Sequence, residues 1–258
     1  MAEDSLVHQT VTRQMLAALG HRADVVADGR AAVDAVEQGD YDVVLMDLQM
    51  PGTGGLEATA SILARVPAAR RPRIFALTAS SRPEDHRACV RAGMSGVLVK
   101  PMRAADLART LRGVAGPVAA PGVGAAPDVE PMAALDLAVF AQVTTDMGAQ
   151  SPSRQQELIE AYLEQGDGWI VDLATAAAEG DARTVRAVAH SLGSTSALLG
   201  ALPLARLLSE AGRLAKIEGA GLAEAAAAVS SEYRRVAAVL HEQSTRLAGR
   251  TARTGGEP

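Results

Sequence analysis

Three polar residues, each at the end of a predicted strand, form the first candidate site in this sequence. Asp47 follows the apolar run VVLM, Thr78 follows IFAL, and Lys100 follows GVLV. Taken singly, they are typical of a loop acid, a turn residue and a solvated charge. Because the carboxyl ends of parallel strands meet at one edge of a sheet, we expect the three side chains to lie together. A carboxylate nucleophile, a hydroxyl and a cation at one edge favour phosphoryl transfer, in which positioning and charge neutralisation supply most of the catalysis.

The elements that must position these residues alternate between strand and helix up to about residue 112. The pattern predicts strands at 23–27, 42–47, 73–78 and 95–99, and helices at 7–19, 29–38, 55–66, 83–92 and 103–112. Such alternation implies right-handed crossovers and a parallel sheet covered by helices. We therefore predict an α/β domain over residues 1–112.

The rest of the chain has a different pattern. Residues 113–134 are rich in Gly, Pro and Ala and predict a flexible linker, which would span on the order of 25 Å. From residue 135 apolar residues recur at helical spacing, which predicts an all-α antiparallel bundle over 135–247. Its helices are expected at 135–147, 153–179, 181–199, 202–216 and 222–247. The last residues, 248–258, are predicted to be disordered.

His190 is the most informative residue of the predicted bundle. A helical projection places it opposite an apolar stripe, which consists of Val185, Val188, Leu192, Thr195 and Leu199. We expect the imidazole to face solvent between Arg183 and Arg186, above the small residues Ala187, Gly193, Ser194 and Ala197. A partner could approach it closely, and a neutral imidazole can act as a nucleophile. The alternative is an unmodified surface histidine.

Composition limits the classes of function. The net charge of −5 argues against a nucleic acid partner, since phosphate-backbone binding needs a basic surface. One cysteine forms no internal disulfide, and no apolar run is long enough for membrane insertion, so a cytoplasmic protein is expected. The sequence contains no Walker A motif or glycine-rich nucleotide box, so an ATP-dependent kinase is disfavoured.

The first 112 residues resemble the receiver domain of two-component response regulators and hybrid histidine kinases. The matching motifs are AEDSLVHQTV, VVLMDLQMP, IFALTAS and RAGMSGVLVKP. The resemblance implies a flavodoxin-like, doubly wound parallel sheet with strand order 2-1-3-4-5. It also implies that Asp47 is the phosphoacceptor, that Lys100 pairs with the bound phosphoryl group, and that Thr78 hydrogen-bonds to it. The Lys100 to Pro101 bond is expected to be cis.

The same resemblance implies a Mg²⁺ site. Glu3 and Asp4 would form an acidic pair that holds the ion together with Asp47 and the backbone carbonyl of Gln49. Mg²⁺ prefers oxygen ligands, and it neutralises charge that would otherwise keep an anionic nucleophile from an anionic phosphoryl group.

The first residues depart from the receiver pattern. Receivers open with a central strand, whereas only Met1 and Ala2 precede Glu3 here. We therefore expect the first strand to be missing, Glu3 and Asp4 to lie on a fraying chain end, and Mg²⁺ affinity to be reduced. We also hypothesise that the sequence begins inside a longer protein or at a start codon assigned too late.

The segment AHSLGSTSALLGA resembles the phosphoacceptor motif of histidine phosphotransfer (HPt) domains. Leu192 and Gly200 match that motif, whereas Gly193 and Ser194 stand where the family has Lys and Gly. The resemblance implies that His190 accepts a phosphoryl group, without the stabilisation that the lysine would provide.

The combined pattern resembles the C-terminal part of a hybrid sensor histidine kinase. It predicts a phosphorelay protein, not itself an enzyme, that carries phosphoryl groups between Asp47 and His190. Its expected partners are a sensor histidine kinase and other receiver or HPt proteins. The alternative is a phosphotransfer-impaired interaction module or a fragment of a longer hybrid kinase.

Overall fold

The computed structural model describes residues 1–80, 82–112, 133–148, 152–216 and 221–254. The chain divides into two compact units, Met1–Pro127 and Asp128–Pro258. Most of the predicted linker, residues 113–132, lies outside the described residues. Its last residue, Ala134, is buried and belongs with the helices that follow.

The first unit contains the alternating elements that the sequence predicts. They are α1 (Leu6–Ala18), α2 (Gly29–Gln38), β1 (Val43–Asp47), α3 (Gly55–Arg65), β2 (Arg73–Thr78), α4 (Pro83–Arg91), β3 (Gly96–Val99) and α5 (Ala104–Leu111). A short 3₁₀ helix, Ala68–Arg70, precedes β2 and was not predicted. Each boundary agrees with the sequence pattern to within one or two residues.

The three strands form a parallel sheet in the order β1, β2, β3. On the far side of β1, Ala2 forms parallel bridges with both Met46 and Val26. The order from one edge is therefore Val26, Ala2, β1, β2, β3, which is the flavodoxin-like order predicted. The prediction of a full strand at 23–27 is wrong, because only Val26 forms a bridge. Val26 bonds to the Met1 carbonyl and the Glu3 amide, and this single bridge is what pairs the segment with the sheet.

The chain start is held in the sheet, so the expectation that it would fray is wrong. The amide of Ala2 donates to the Leu45 carbonyl at 2.9 Å, and its carbonyl accepts from the Asp47 amide at 2.9 Å. On the other side, the Glu3 amide donates to the Val26 carbonyl at 3.0 Å. Ala2 is fully buried. Residues Met1 to Glu3 therefore occupy the central strand position, and the acidic pair follows directly.

Helices cover the sheet because alternate strand residues point to opposite faces. One face packs against α2, α3 and α4 in a core that includes Val33, Met46, Ile62, Ala76 and Cys89. On β1 and β2 the intervening residues are also buried, so both faces of the sheet are covered. Side chains at the ends of the three strands can therefore reach solvent only at the carboxyl edge of the sheet.

The second unit is helical, as predicted. Its elements are α6 (Leu137–Asp146), α7 (Pro152–Glu179), α8 (Ala182–Leu199), α9 (Leu202–Lys216) and α10 (Leu222–Thr254). Asp181 caps α8 by accepting from the amides of Arg183 and Thr184. Gly200 ends α8 in the left-handed conformation at φ 89°, which only glycine adopts readily.

The helices pack as an assembly in which α8 contacts α6, α7 and α9, and α10 contacts α7 and α9. The predicted disordered tail is wrong over residues 248–254, because α10 continues to Thr254. In a helix that has already formed, each further residue adds one hydrogen bond for the ordering of one residue, so α10 can continue through this segment. Within the described residues, no helix combines the length and the apolar character that a membrane span requires.

Candidate functional site

Asp47 lies at the carboxyl end of β1 with only 2% of its surface exposed. Its Oδ1 accepts a hydrogen bond from the Gln49 amide at 3.1 Å, and its Oδ2 accepts from Lys100 Nζ at 2.7 Å. Burial raises the pKa of Asp47 above its usual value, although the charge of Lys100 opposes the shift. The carboxylate is thus desolvated and held in one orientation.

Lys100 follows β3 and reaches across the sheet edge to two carboxylates. Its backbone amide donates to the Thr78 carbonyl at 2.7 Å, and its peptide bond to Pro101 is cis, as predicted. Its Nζ donates to Glu3 Oε2 at 2.6 Å as well as to Asp47. Burial alone would lower the pKa of Lys100, but the two carboxylates raise it above its usual value. Lys100 is therefore a buried, paired cation.

Glu3, Asp4 and Asp47 form an acidic cluster whose ligand oxygens lie within 4.8 Å of one another. Burial would raise the pKa of Glu3, but His8 and Lys100 lower it to about 2. Burial and the charges of Glu3 and Asp47 raise the pKa of Asp4 to about 6. Three carboxylates beside one lysine leave an excess of negative charge, and an all-oxygen donor set suits Mg²⁺. The residues present therefore fit that ion.

Thr78 and Gln49 lie next to this cluster in the sheet. Asp47 pairs with Leu77, so Thr78 is one residue further along the neighbouring strand. The Thr78 side chain is buried, and its Oγ1 accepts from the Ser80 amide at 3.0 Å. Gln49 is exposed, just after the strand end. The structure thus places all the predicted receiver-like site residues at one edge, and their roles remain predictions.

His8 is a contact of the cluster that sequence analysis missed. Its Nδ1 lies 3.3 Å from Glu3 Oε1, and the residue is 5% exposed. A signal for its burial was present, because His8, Val11, Thr12 and Met15 recur at helical spacing and are all buried. Helical spacing could not identify Glu3 as the contact of His8, since Glu3 precedes the helix.

His190 lies on the less buried side of α8, but it is only partly exposed. All five residues predicted for the core side of α8 are buried. On the other side, Arg186 Nη1 donates to the Ala215 carbonyl of α9 at 3.1 Å. A β-carbon on Gly193 would lie 3.5 Å from Leu208 Cβ. Helix α9 therefore covers part of the surface that we expected to be open, because the small residues of α8 allow a close approach.

Comparison with known families agrees with the geometry of the first unit. The family described as the response regulator receiver domain matches residues 1–112. Residues 1–112 are a response regulator receiver domain. The receiver domain therefore accounts for the sheet, the acidic cluster and Lys100, and it ends where the predicted linker begins.

Relatives of the chain include hybrid histidine kinases. The hybrid signal transduction histidine kinase H of Dictyostelium discoideum is 40% identical over 116 residues, covering 43% of this chain and 8% of that protein. The sensory/regulatory protein RpfC of Xanthomonas campestris is 27% identical over 222 residues, covering 84% of this chain and 30% of that protein. The chain thus spans less than a third of the length of either relative.

Among solved structures, a receiver domain of a sensor histidine kinase from Pseudomonas aeruginosa PAO1 is 43% identical to this chain. The match covers 43% of this chain and 91% of that one, with a TM-score of 0.41. That crystal structure holds a magnesium ion coordinated in its active site cleft.

Proposed function

We propose that the protein is a phosphorelay component that carries phosphoryl groups between Asp47 and His190 without an ATP-binding site of its own. The observation that carries the proposal is the buried cluster in which Lys100 Nζ lies 2.7 Å from Asp47 Oδ2 and 2.6 Å from Glu3 Oε2. An isolated structural acid would not need this arrangement, since burying several charges is costly unless they are paired.

Glu3, Asp4, Asp47 and the carbonyl of Gln49 are the residues proposed to hold Mg²⁺. When bound, Mg²⁺ supplies neutralisation of the charge that builds up as two anions approach. The raised pKa of Asp4 supports a cation there, because burial and the charges of Glu3 and Asp47 disfavour its ionised form, which a cation would stabilise. Lys100 holds Asp47 in place and supplies a second positive charge to the same edge.

In the proposed transfer to the receiver domain, a carboxylate oxygen of Asp47 attacks the phosphorus of a donor phosphohistidine. A P–O bond forms as the P–N bond breaks, and the donor imidazole leaves and takes up a proton. Lys100 then pairs with the new phosphoryl oxygens as a compact charge, and the Thr78 hydroxyl donates to one of them. The backbone hydrogen bonds of Asp47 keep the nucleophile in position.

The proposed second acceptor is His190, which makes the helical unit an HPt domain. A ring nitrogen of His190 would attack the phosphorus on Asp47, forming a P–N bond as the P–O bond breaks and the carboxylate leaves. The phosphorylated ring would then release a proton to water. Two observations support this assignment. His190 lies on the less buried side of α8. In addition, the match to RpfC is longer than the receiver domain and so extends into the helical unit.

The proposed partners are a sensor histidine kinase upstream and further receiver or HPt proteins downstream. The test uses the full chain with Mg²⁺ and a phosphorylated kinase domain as donor. Wild-type protein should carry label in two chemical forms, an acyl phosphate that is lost in base and a phosphohistidine that is lost in acid. Asp47→Asn should lose both forms, because His190 is labelled through Asp47, and His190→Gln should lose only the acid-labile form.

Two substitutions of exposed residues serve as matched controls. Asp42 lies just before β1, and His241 lies on α10. The variants Asp42→Asn and His241→Gln should carry both forms of label at the wild-type level. Acid-labile label that persists in His190→Gln would overturn the HPt assignment. Label of either form in the double variant Asp47→Asn, His190→Gln would overturn the relay. If wild type takes up no label from the donor, the protein is instead an interaction module.

A further inference from the structure

His8 is a buried side chain that the proposed phosphoryl chemistry does not use directly. It is the third residue of α1, and Ser5 caps that helix by accepting from the His8 amide. The imidazole reaches back past the cap to Glu3, with 3.3 Å between Nδ1 and Oε1. The same carboxylate oxygen lies 3.4 Å from the Ser5 amide, which donates to it. The start of α1 thus encloses one side of the Glu3 carboxylate.

The hydrogen-bonding roles within this contact follow from its chemistry. Lys100 Nζ donates to Glu3 Oε2 at 2.6 Å, so Glu3 is paired as a carboxylate, and a carboxylate only accepts hydrogen bonds. The proton must therefore be on Nδ1 of His8. Nε2 is buried and has no hydrogen-bonding partner in the described segments of the chain. Nδ1 is therefore the ring nitrogen that His8 directs at a hydrogen-bonding partner, whereas Nε2 has none among the described residues.

Packing alone does not account for a histidine at this position. The surrounding positions of the buried α1 stripe are Val7, Val11 and Met15. An apolar side chain would fill the same space without burying a ring nitrogen that lacks a partner. The feature that a histidine adds is the N–H group directed at Glu3.

Glu3 is consequently held from both sides. His8 and the Ser5 amide bind Oε1, and Lys100 binds Oε2 at 2.6 Å while also binding Asp47 at 2.7 Å. A carboxylate fixed at both oxygens keeps Lys100 beside Asp47 and keeps negative charge next to Asp4. Residues that orient metal-binding carboxylates in this way commonly set metal affinity.

We propose that His8 is a positioning residue of the receiver domain, whose Nδ1–H group orients Glu3 and thereby sets the Mg²⁺ affinity of the acidic cluster. This inference rests on the proposed Mg²⁺ site. His8 contacts Glu3 and acts through it.

The test compares His8→Asn, His8→Gln and His8→Ala in the ¹⁵N-labelled full chain. Mg²⁺ is titrated, and dissociation constants are taken from the amide shifts of Asp4 and Asp47. An asparagine amide places its nitrogen near the position of Nδ1, whereas glutamine places it near that of Nε2. His8→Asn should therefore bind Mg²⁺ with an affinity close to that of wild type. His8→Ala and His8→Gln should bind Mg²⁺ about 10- to 100-fold more weakly. His21→Asn, on an exposed histidine, should have no effect.

Two further measurements separate positioning from folding. Thermal unfolding identifies any variant that is not folded, and the histidine ring ¹⁵N shifts of wild type should show the proton of His8 on Nδ1. Equal Mg²⁺ affinity in wild type and His8→Ala, equal rescue by Asn and Gln, or a proton on Nε2 would overturn the role of His8 alone. Failure of wild type to bind Mg²⁺ would instead overturn the proposed site, and His8 with it.

Discussion

At the scale of single residues, the charges of the receiver cluster do not balance. Three carboxylates share one lysine, and the carboxyl groups respond in different ways. The pKa of Glu3 is lowered to about 2, because His8 and Lys100 bind it directly. The pKa of Asp4 is raised to about 6, because burial and two neighbouring carboxylates disfavour its charge. Ionised Asp4 is therefore a cost to the fold that a bound cation would remove.

This cost predicts a pH dependence of stability. An acid whose folded pKa is raised binds a proton that the unfolded chain has released, so stability falls as pH rises from about 4 through 6. Glu3 acts in the opposite direction, and its contribution is lost as pH falls from about 4.5 towards 2. Asp4→Asn should remove the fall in stability that occurs as pH rises from about 4 through 6. We expect it to raise the free energy of unfolding at pH 7 by about 1 to 2 kcal/mol, allowing for partial exposure.

The measurement is chemical denaturation of the full chain without Mg²⁺ at a series of pH values. The two proteins should be nearly equal in stability at pH 4 and diverge by pH 7. Asp42→Asn, on an exposed acid, should follow wild type throughout. Added Mg²⁺ should stabilise wild type at pH 7 more than Asp4→Asn, since a ligand that binds the folded state more tightly stabilises it more. A constant difference at all pH values would contradict the assignment to Asp4.

At the scale of elements, the position of Asp47 depends on the close packing of α3 against the end of β1. A β-carbon on Gly55, the first residue of α3, would lie 2.1 Å from the Asp47 carbonyl oxygen. That distance is far below contact, and the obstacle is backbone, which cannot rotate away as a side chain can. The helix therefore approaches the strand end only because residue 55 has no side chain.

Gly55→Ala should push α3 and the Asp47 backbone apart. We expect a loss of about 1 to 3 kcal/mol in the free energy of unfolding, typical of overpacking, together with weaker Mg²⁺ binding. The adjacent Gly54 is the matched control, because its β-carbon would meet only the Leu48 carbonyl at an ordinary 3.5 Å. Gly54→Ala should stay within about 0.5 kcal/mol of wild type. Denaturation and Mg²⁺ titration of both variants provide the comparison, and equal effects would contradict the packing argument.

At the scale of the whole molecule, the chain joins two compact units, each with one proposed phosphoacceptor. The sequence between them predicts a flexible linker, and tethering of this kind gives effective concentrations near the millimolar range. If the proposed relay operates within one chain, its rate should not depend on protein concentration.

Mixing two variants tests this expectation with full-length chains. His190→Gln labelled at Asp47 is mixed with unlabelled Asp47→Asn, so that transfer can occur only between molecules. At micromolar concentrations we expect this transfer to be about 100- to 1000-fold slower than in wild type and to rise with concentration. The conversion from base-labile to acid-labile label gives both rates. Equal rates in the mixture and in wild type would show that tethering contributes nothing.

Much of the architecture could be predicted from the sequence because it depends on local patterns. Apolar runs and helical spacing gave the boundaries of β1, β2 and most helices to within a residue or two. The same patterns failed at 23–27, where strand formation depends on a partner, and at 248–254, where an existing helix continues through residues that would not begin one. Pairing and propagation are properties of the neighbours, so the segment alone does not decide them.

The sequence by itself determined which groups are available for chemistry: Asp47, Thr78 and Lys100 at successive strand ends and His190 on a helix. Only the tertiary structure decided how they are held. It placed Glu3 in the sheet, joined it to His8 and Lys100, and moved α9 over part of the surface beside His190. The physical reason is that residue type and spacing fix the local conformation. Burial, hydrogen-bond partners and pKa, by contrast, arise from contacts between residues that are distant in the chain.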